Sequence, residues 1–391
     1  MELRSMERAE VEGKTVLVRV DYNVPLSEGR VVDDARLRAS LPTLQYLLER
    51  NAKVVLITHL GRPEGRVVDD LRLAPVAACL AELLERPVRQ LDDCVGPAVS
   101  EAIGQGNSGD VFLLENVRFH REETTNESGF ARELARLGDV FVNDAFAAVH
   151  RAHASTVGIA DHLPAYAGFL VQREITALSC LENPERPYLA IIGGKKARSK
   201  LGPLRDLVPR VDEILIGGGV ALTFLHAFGA NVGDSVVDSG LLAEIRGIQD
   251  EADRENTRIY LPEDVVIGED LSSGGEVRVC DAREIPAGWQ GLDIGPQTVE
   301  RFTERILAAK TLVWTGPLGA FEVEAFSAGT RRIGEAVARS TAYSVIGGGE
   351  TGEAITRFEL ASQVSYVSTG GGACLALLRG KHLPALEALR A

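Results

Sequence analysis

The chain has 391 residues, 45% hydrophobic and 25% charged, with a formal net charge of −14 at pH 7. That length suits two globular domains, and the composition excludes a disordered or low-complexity chain. Both halves are mildly acidic, which excludes the basic face that a nucleic-acid partner needs, and the longest apolar run, the twelve residues "ILIGGGVALTFL", is too short to span a membrane.

In chain order the apolar runs are "TVLVRV", "AKVVLITHL", "DVFLLENV" and "DVFVNDAF", then "YLAIIGG", "EILIGGG", "TLVWTGP", "SVIGGG" and "VSYVSTGGG". They alternate with helical stretches, and strands apolar on both faces imply a parallel sheet covered by helices on each side. The expected fold class is therefore α/β, with two doubly wound, Rossmann-like parallel-sheet domains. The start, "MELRSMERAEVEGK", has no apolar signal core. Cys79, Cys94, Cys180, Cys280 and Cys374 share no metal-ligand spacing and read as reduced core residues of a cytoplasmic protein.

Ligands of open α/β sheets bind beyond the carboxyl ends of the strands. Strands of the first half end in polar and basic residues: Asp21, Asn23, His59, Arg62, Arg118, His150 and Arg151, with Arg36 nearby in "DDARLRASLP". Guanidinium forks match phosphate and carboxylate oxygens, so this set points to a small, multiply charged anion. Strands of the second half end in glycine pairs and triplets, including Gly193, Gly194, Gly217, Gly218 and Gly347 to Gly349. Such turns let backbone N–H groups and helix N-termini approach a nucleotide. The one G-x-G-x-x-G match, "GQGNSG" at 104–109, precedes a strand instead of following one and reads as a loop. Asn126 in "NES" has glycosylation spacing without a secretory context and is set aside.

Taken together, "VDYNVP", "THLGRP", "LLENVRFHREETTN", "FVNDAFAAVHRAHASTVGI", "GLDIGPQT", "VWTGPLGAFE" and "STGGGA" resemble the phosphoglycerate kinase family over essentially the whole chain. The resemblance implies a bilobal, hinge-bending enzyme that transfers a phosphoryl group between 1,3-bisphosphoglycerate and Mg-ADP, giving 3-phosphoglycerate and ATP. It implies a glycerate lobe over 1–171, completed by about 380–391, and a nucleotide lobe over 172–379, joined by a helix within 168–184. The glycerate site implied is Asp21, Asn23, Arg36, His59, Arg62, Arg118 and Arg151. The nucleotide site implied is Gly193, Gly194, Lys196, Lys200, Gly217, Gly218, Gly291, Pro317, Glu322, Gly347, Gly348, Gly349, Glu350 and Thr351, with Glu350 serving Mg²⁺ through the nucleotide. Arg36, Lys196, Gly371 and Gly372 are the implied catalytic groups around the transferring phosphoryl, and a cytoplasmic monomer is the family expectation. Because the acceptor is an ionised carboxylate, no general base is required, and positioning and cations carry the catalysis.

Departures concentrate in the second half. Where the family reads G-G-A-K-V-S-D-K, this chain has "GGKKARSK", so Lys196 and Lys200 keep their places while Lys195 and Arg198 are added and Ser199 replaces an aspartate. Leu222 and Thr315 stand for asparagines, Glu350 for an aspartate, Tyr366 for a histidine and Ala376 for a glutamate. Pro203 favours the first turn of a helix over its interior, which predicts a late start for the helix after this loop. Three readings stay open at this level: a working glycolytic kinase, a paralogue acting on a related phosphorylated or phosphonylated carboxylate or using another nucleotide, and a non-catalytic anion-binding protein.

Overall fold

Thr15–Arg19, Lys53–Ile57, Tyr188–Ile192 and Thr311–Thr315 are strands whose residues are almost all buried, as expected of strands covered on both faces. A computed structural model describes residues 2–272 and 275–391 and resolves two units. The first runs up to Thr176 and includes His382–Ala391; the second is Ala177–Lys381. The boundary falls inside the helix Phe169–Ser179.

In the first unit six parallel strands are ordered Val88–Gln90, Val111–Leu113, Lys53–Ile57, Thr15–Arg19, Val140–Asn143 and Ala165–Ala167. The chain adds strands on one side of Thr15–Arg19 and then crosses to the other, so a crevice opens beyond the carboxyl ends of Thr15–Arg19 and Val140–Asn143. The core beneath it is aliphatic, built on Val16, Val18, Leu44, Leu47, Val54, Leu56, Leu113 and Val142.

In the second unit the order is Arg258–Tyr260, Glu213–Ile216, Tyr188–Ile192, Thr311–Thr315, Tyr343–Gly347 and Tyr366–Val367, again all parallel. Its reversal point lies between Tyr188–Ile192 and Thr311–Thr315, over a core centred on the fully buried Trp314. The α/β reading holds for both sheets. The structure adds a three-stranded antiparallel sheet, Val277–Asp281, Asp264–Gly268 and Gln290–Ile294, on a satellite core with Leu222, Val232, Ile285 and Trp289.

Two expectations need correction. The helix after the glycine loop does not start late: it runs Arg198–Leu207 with Pro203 inside it. Pro203 cannot donate to the Ser199 carbonyl, but it is buried with Leu201, Leu204 and Leu207, and burial of that face offsets one missing backbone bond. Among the described residues no cysteine forms a disulfide, yet only Cys94 and Cys374 are buried; Cys180 is exposed just past the helix Phe169–Ser179. The 104–109 motif joins the helix Pro97–Gly104 to the strand Val111–Leu113, as a connector should. Among the described residues, no helix is long and apolar enough to cross a membrane.

Candidate functional site

The first unit gathers its charged groups around one buried arginine. Arg19 closes the strand Thr15–Arg19 and is 0% exposed. Its Nε donates to Ser155 Oγ at 2.8 Å, one terminal nitrogen donates to the Val20 carbonyl, and the other donates to His59 Nδ1 at 3.0 Å. Ser155 Oγ in turn donates to Glu123 Oε1 at 2.7 Å, and Ser155 N–H donates to Glu123 Oε2 at 2.9 Å. The buried cation thus has a buried anion one hydroxyl away, the condition under which a charge survives burial.

Above this base stand the residues that the sequence singled out. Arg36 donates to Asp21 Oδ2, and Asn23 N–H donates to Asp21 Oδ1 at 3.3 Å. Asn23 Oδ1 accepts the Gly61 N–H at 2.8 Å, while Arg118 donates to the Gly61 carbonyl at 2.7 Å. The loop after the strand Lys53–Ile57 is therefore held from both sides, and Arg62 follows it with an exposed side chain. Arg151 Nε donates to His150 Nε2 at 3.2 Å.

Electrostatics show how densely cations are packed here. Burial, and then the charges of Arg19, Arg118, Arg151 and Arg36, push His59 well below the ordinary histidine range. It is neutral at pH 7, in keeping with an Nδ1 that accepts from Arg19. Burial and the neighbouring Arg151 and Arg19 pull Arg118 down to about 10. Arg118 Nε is buried with no acceptor in the described residues. A cation depressed by its cationic neighbours, with one donor unmet, calls for an anion. The structure therefore brings Asp21, Asn23, Arg36, His59, Arg118 and Arg151 together, and adds Arg19, Glu123 and Ser155, which the sequence reading missed. The available signal for Arg19 was a single cation interrupting "VLVRV".

The second unit works with backbone. Gly193 N–H donates to the Thr315 carbonyl at 2.9 Å and Gly194 N–H to the Pro317 carbonyl at 2.8 Å. A Cβ on Gly193 would stand 2.1 Å from the Pro317 oxygen, and one on Gly316 would stand 2.2 Å from the Gly193 oxygen. The two turns interlock at the reversal point of the sheet, where only glycine lets the chains approach this closely. Gly217 caps the helix Gly218–Ala227, Gly348 caps Gly349–Arg357 and Gly370 caps Gly371–Leu378. The last two helix starts abut, since a Cβ on Gly371 would meet Gly348 Cα at 2.7 Å. Gly347 ends the strand Tyr343–Gly347, Thr351 Oγ1 accepts the Gly316 N–H at 2.6 Å, and Gly372 is exposed. Several positive helix ends therefore face the carboxyl edge of one sheet.

Beside them lies a cavity of about 330 Å³, lined in part by Gly194, Lys195, Gly218, Gly291, Pro317, Glu322 and Glu350. Leu222, Val236, Leu271, Leu292 and Val323 give it apolar walls, which suit the flat face of a base. Lys200 Nζ donates to Thr315 Oγ1 at 3.2 Å; burial lowers its pKa, opposed by the charge of Glu350. Lys196 is exposed and does not line the cavity. The added positive charge of the loop is smaller than a count of residues implies, because Arg198 is held by Asp238 through bonds of 3.0 and 3.1 Å. Ser199 Oγ donates to the Lys196 carbonyl at 2.9 Å and so braces the loop. Glu350, at the start of the helix Gly349–Arg357 and on the cavity wall, offers a carboxylate of the hard-oxygen type that Mg²⁺ takes.

Comparisons with known proteins agree with this geometry. A family model described as phosphoglycerate kinase matches residues 6–381. A phosphoglycerate kinase of Rubrobacter xylanophilus is 48% identical over 390 residues, covering 100% of this chain and 98% of that protein. The solved phosphoglycerate kinase of Coxiella burnetii superposes with a TM-score of 0.86 at 40% identity, covering 99% of this chain and 98% of the other. That of Pyrococcus horikoshii OT3 gives 0.89 at 34% identity, with the same coverage. With a buried arginine cluster on one sheet, interlocked glycine turns on the other and full-length similarity throughout, this chain belongs to the phosphoglycerate kinase family.

Proposed function

We propose that the protein catalyses reversible phosphoryl transfer between 1,3-bisphosphoglycerate and Mg-ADP, giving 3-phosphoglycerate and Mg-ATP. The observation that carries this reading is the cluster of Arg36, His59, Arg118 and Arg151 on the buried base of Arg19, with a donor on Arg118 still unmet. The first unit binds the glycerate through Asp21, Asn23, Arg36, His59, Arg62, Arg118 and Arg151. Asp21 fixes the direction of Arg36, which brings positive charge to the transferring phosphoryl. Neutral His59 contributes a hydrogen bond and no net charge. The acceptor carboxylate is already ionised, so no residue has to remove a proton.

The second unit binds the nucleotide, with the base in the apolar cavity, Glu322 at the ribose and the phosphates at Gly193, Gly194, Lys200 and the helix starts at Gly218, Gly349 and Gly371. Lys196 and the N–H groups of Gly371 and Gly372 neutralise charge on the terminal phosphate. When bound, Mg²⁺ offsets the charge of the nucleotide phosphates, and Glu350 is the residue that holds it. The enzyme acts as a monomer in the cytoplasm.

A coupled assay with 3-phosphoglycerate and Mg-ATP tests the reading, with robust turnover expected. Turnover only with another carboxylate or another nucleotide overturns the substrate assignment. Calorimetry that finds 3-phosphoglycerate bound and no Mg-nucleotide bound overturns the enzymatic one, and light scattering checks the monomer.

A further inference from the structure

Away from the arginine cluster, three potential metal ligands of three chemical types come together in the first unit. Asp93 and Cys94 lie in the loop that follows the strand Val88–Gln90, and His120 ends the turn Val117–Phe119. One ligand atom of each lies within 4.8 Å of the other two. His120 Nε2 and Asp93 Oδ1 are 2.7 Å apart, and their side chains are 29% and 53% exposed, whereas Cys94 is 0% exposed. Two ligands thus open to solvent with a thiol behind them.

The surroundings hold this arrangement in place. The Asp93 carbonyl accepts the Glu115 N–H at 3.3 Å, and the Cys94 N–H donates to Asp93 Oδ1 at 2.7 Å. The His120 ring stacks on Phe130 with centroids 5.1 Å apart and planes at 27°. Loop and ring are therefore both fixed before any ion arrives, which limits the ordering cost of binding.

We propose that Asp93, Cys94 and His120 bind one thiolate-preferring divalent cation such as Zn²⁺, with water in the fourth position. Tetrahedral Zn²⁺ with bonds of about 2.0–2.3 Å sets its ligands ~3.4–3.6 Å apart. The present spacing reaches that by small rotations of the Asp93 and His120 side chains. On binding, the Cys94 thiol releases its proton to solvent, and the imidazole takes the tautomer that frees Nε2; no oxidant or reductant is involved. A thiolate and an imidazole select against Mg²⁺, which demands oxygen ligands in an octahedron, so the nucleotide's own metal does not compete.

The test uses the full-length protein stripped with a chelator, kept reduced and titrated with Co²⁺ as a coloured substitute for Zn²⁺. The expected result is a near-ultraviolet thiolate-to-cobalt band that saturates at one equivalent, is bleached by Zn²⁺ and is untouched by excess Mg²⁺. Cys94→Ser removes the band, with circular dichroism used to confirm that this buried substitution leaves the fold intact. His120→Gln and Asp93→Asn, both at partly exposed positions, weaken Co²⁺ binding at least as much as the roughly 10–100-fold typical of lost supporting groups. The absence of a thiolate band overturns the proposal. So does a band that survives Cys94→Ser, which would assign it to Cys79, Cys180, Cys280 or Cys374, or an unchanged affinity in both His120→Gln and Asp93→Asn.

Discussion

The two units build positive potential by different means. The first uses side chains: Arg19, Arg36, Arg118 and Arg151 converge, all four depress His59, and Arg151 and Arg19 also depress Arg118. The second uses backbone: glycine turns locked at the distances of Gly193 and Gly316, with helix starts aimed at the same sheet edge. A side-chain site loses function when one residue changes, because each charge does a separate job. A backbone site tolerates changes in its side chains provided its glycines stay. This accounts for departures at Leu222, Thr315, Glu350 and the 195–199 loop in a chain that retains its family's fold over 99% of its length. Leu222 now packs in the satellite core and on the cavity wall, and Thr315 now accepts from Lys200.

Four measurements break or sharpen this contrast. Arg36→Ala should lower turnover on the order of 10²-fold or more, as for the loss of other preorganised charges, while the melting curve stays near that of the parent. Near-normal turnover would remove Arg36 from its role. Gly193→Ala should cost about 1–3 kcal/mol of stability in denaturant titrations, because the Pro317 carbonyl has to move. It should also abolish Mg-ADP binding by calorimetry and spare 3-phosphoglycerate; intact nucleotide affinity would contradict the backbone account.

The third measurement is of pH dependence. His59 titrates below its unfolded value near 6.5, so the stability it contributes is present above that pH and declines as pH falls through the folded value. Asp144, raised by burial to about 6, works in the opposite sense: it favours the fold at low pH and loses that contribution as pH rises through about 6. The informative quantity is therefore the difference between parent and His59→Gln, and the variant should lose less stability between neutral pH and pH 5. Equal slopes would mean that His59 is no more perturbed in the fold than out of it. The smallest effects belong to Lys195→Ala and Arg198→Ala. Lys195 is exposed and Arg198 is 70% exposed in its pair with Asp238, so each should change stability by no more than about 1 kcal/mol and leave turnover near normal. A large loss of turnover in Lys195→Ala would show that the altered loop has acquired a job of its own.

The parallel sheets were legible because runs such as "AKVVLITHL" and "YLAIIGG" are apolar without alternation, and the chemistry showed in what ended them. Arg19 was not legible. It sits within an apolar strand, and nothing local reveals that Ser155 and Glu123 wait more than a hundred residues away to hold it. The Arg198–Asp238 pair is hidden for the same reason, forty residues apart. The antiparallel sheet escaped notice because Val277–Asp281 is largely exposed and carries an arginine and an aspartate among its valines, so it lacks the pattern of a core strand. The helix at Arg198–Leu207 defied a local rule about proline because tertiary burial outweighed it.

One consequence concerns how the protein is made. Leu383, Ala385, Leu386 and Leu389 are buried in the first unit; Ala385 N–H donates to the Val149 carbonyl at 3.2 Å, and Arg4 N–H donates to the Leu389 carbonyl at 2.9 Å. Val149 immediately precedes His150 and Arg151. Within this chain the second unit is therefore synthesised before the segment that bonds to the Val149 carbonyl and completes the first unit. A nascent chain arrested near Lys381 would therefore lack the closing piece of its first unit and be an incomplete enzyme however well its sheets had formed.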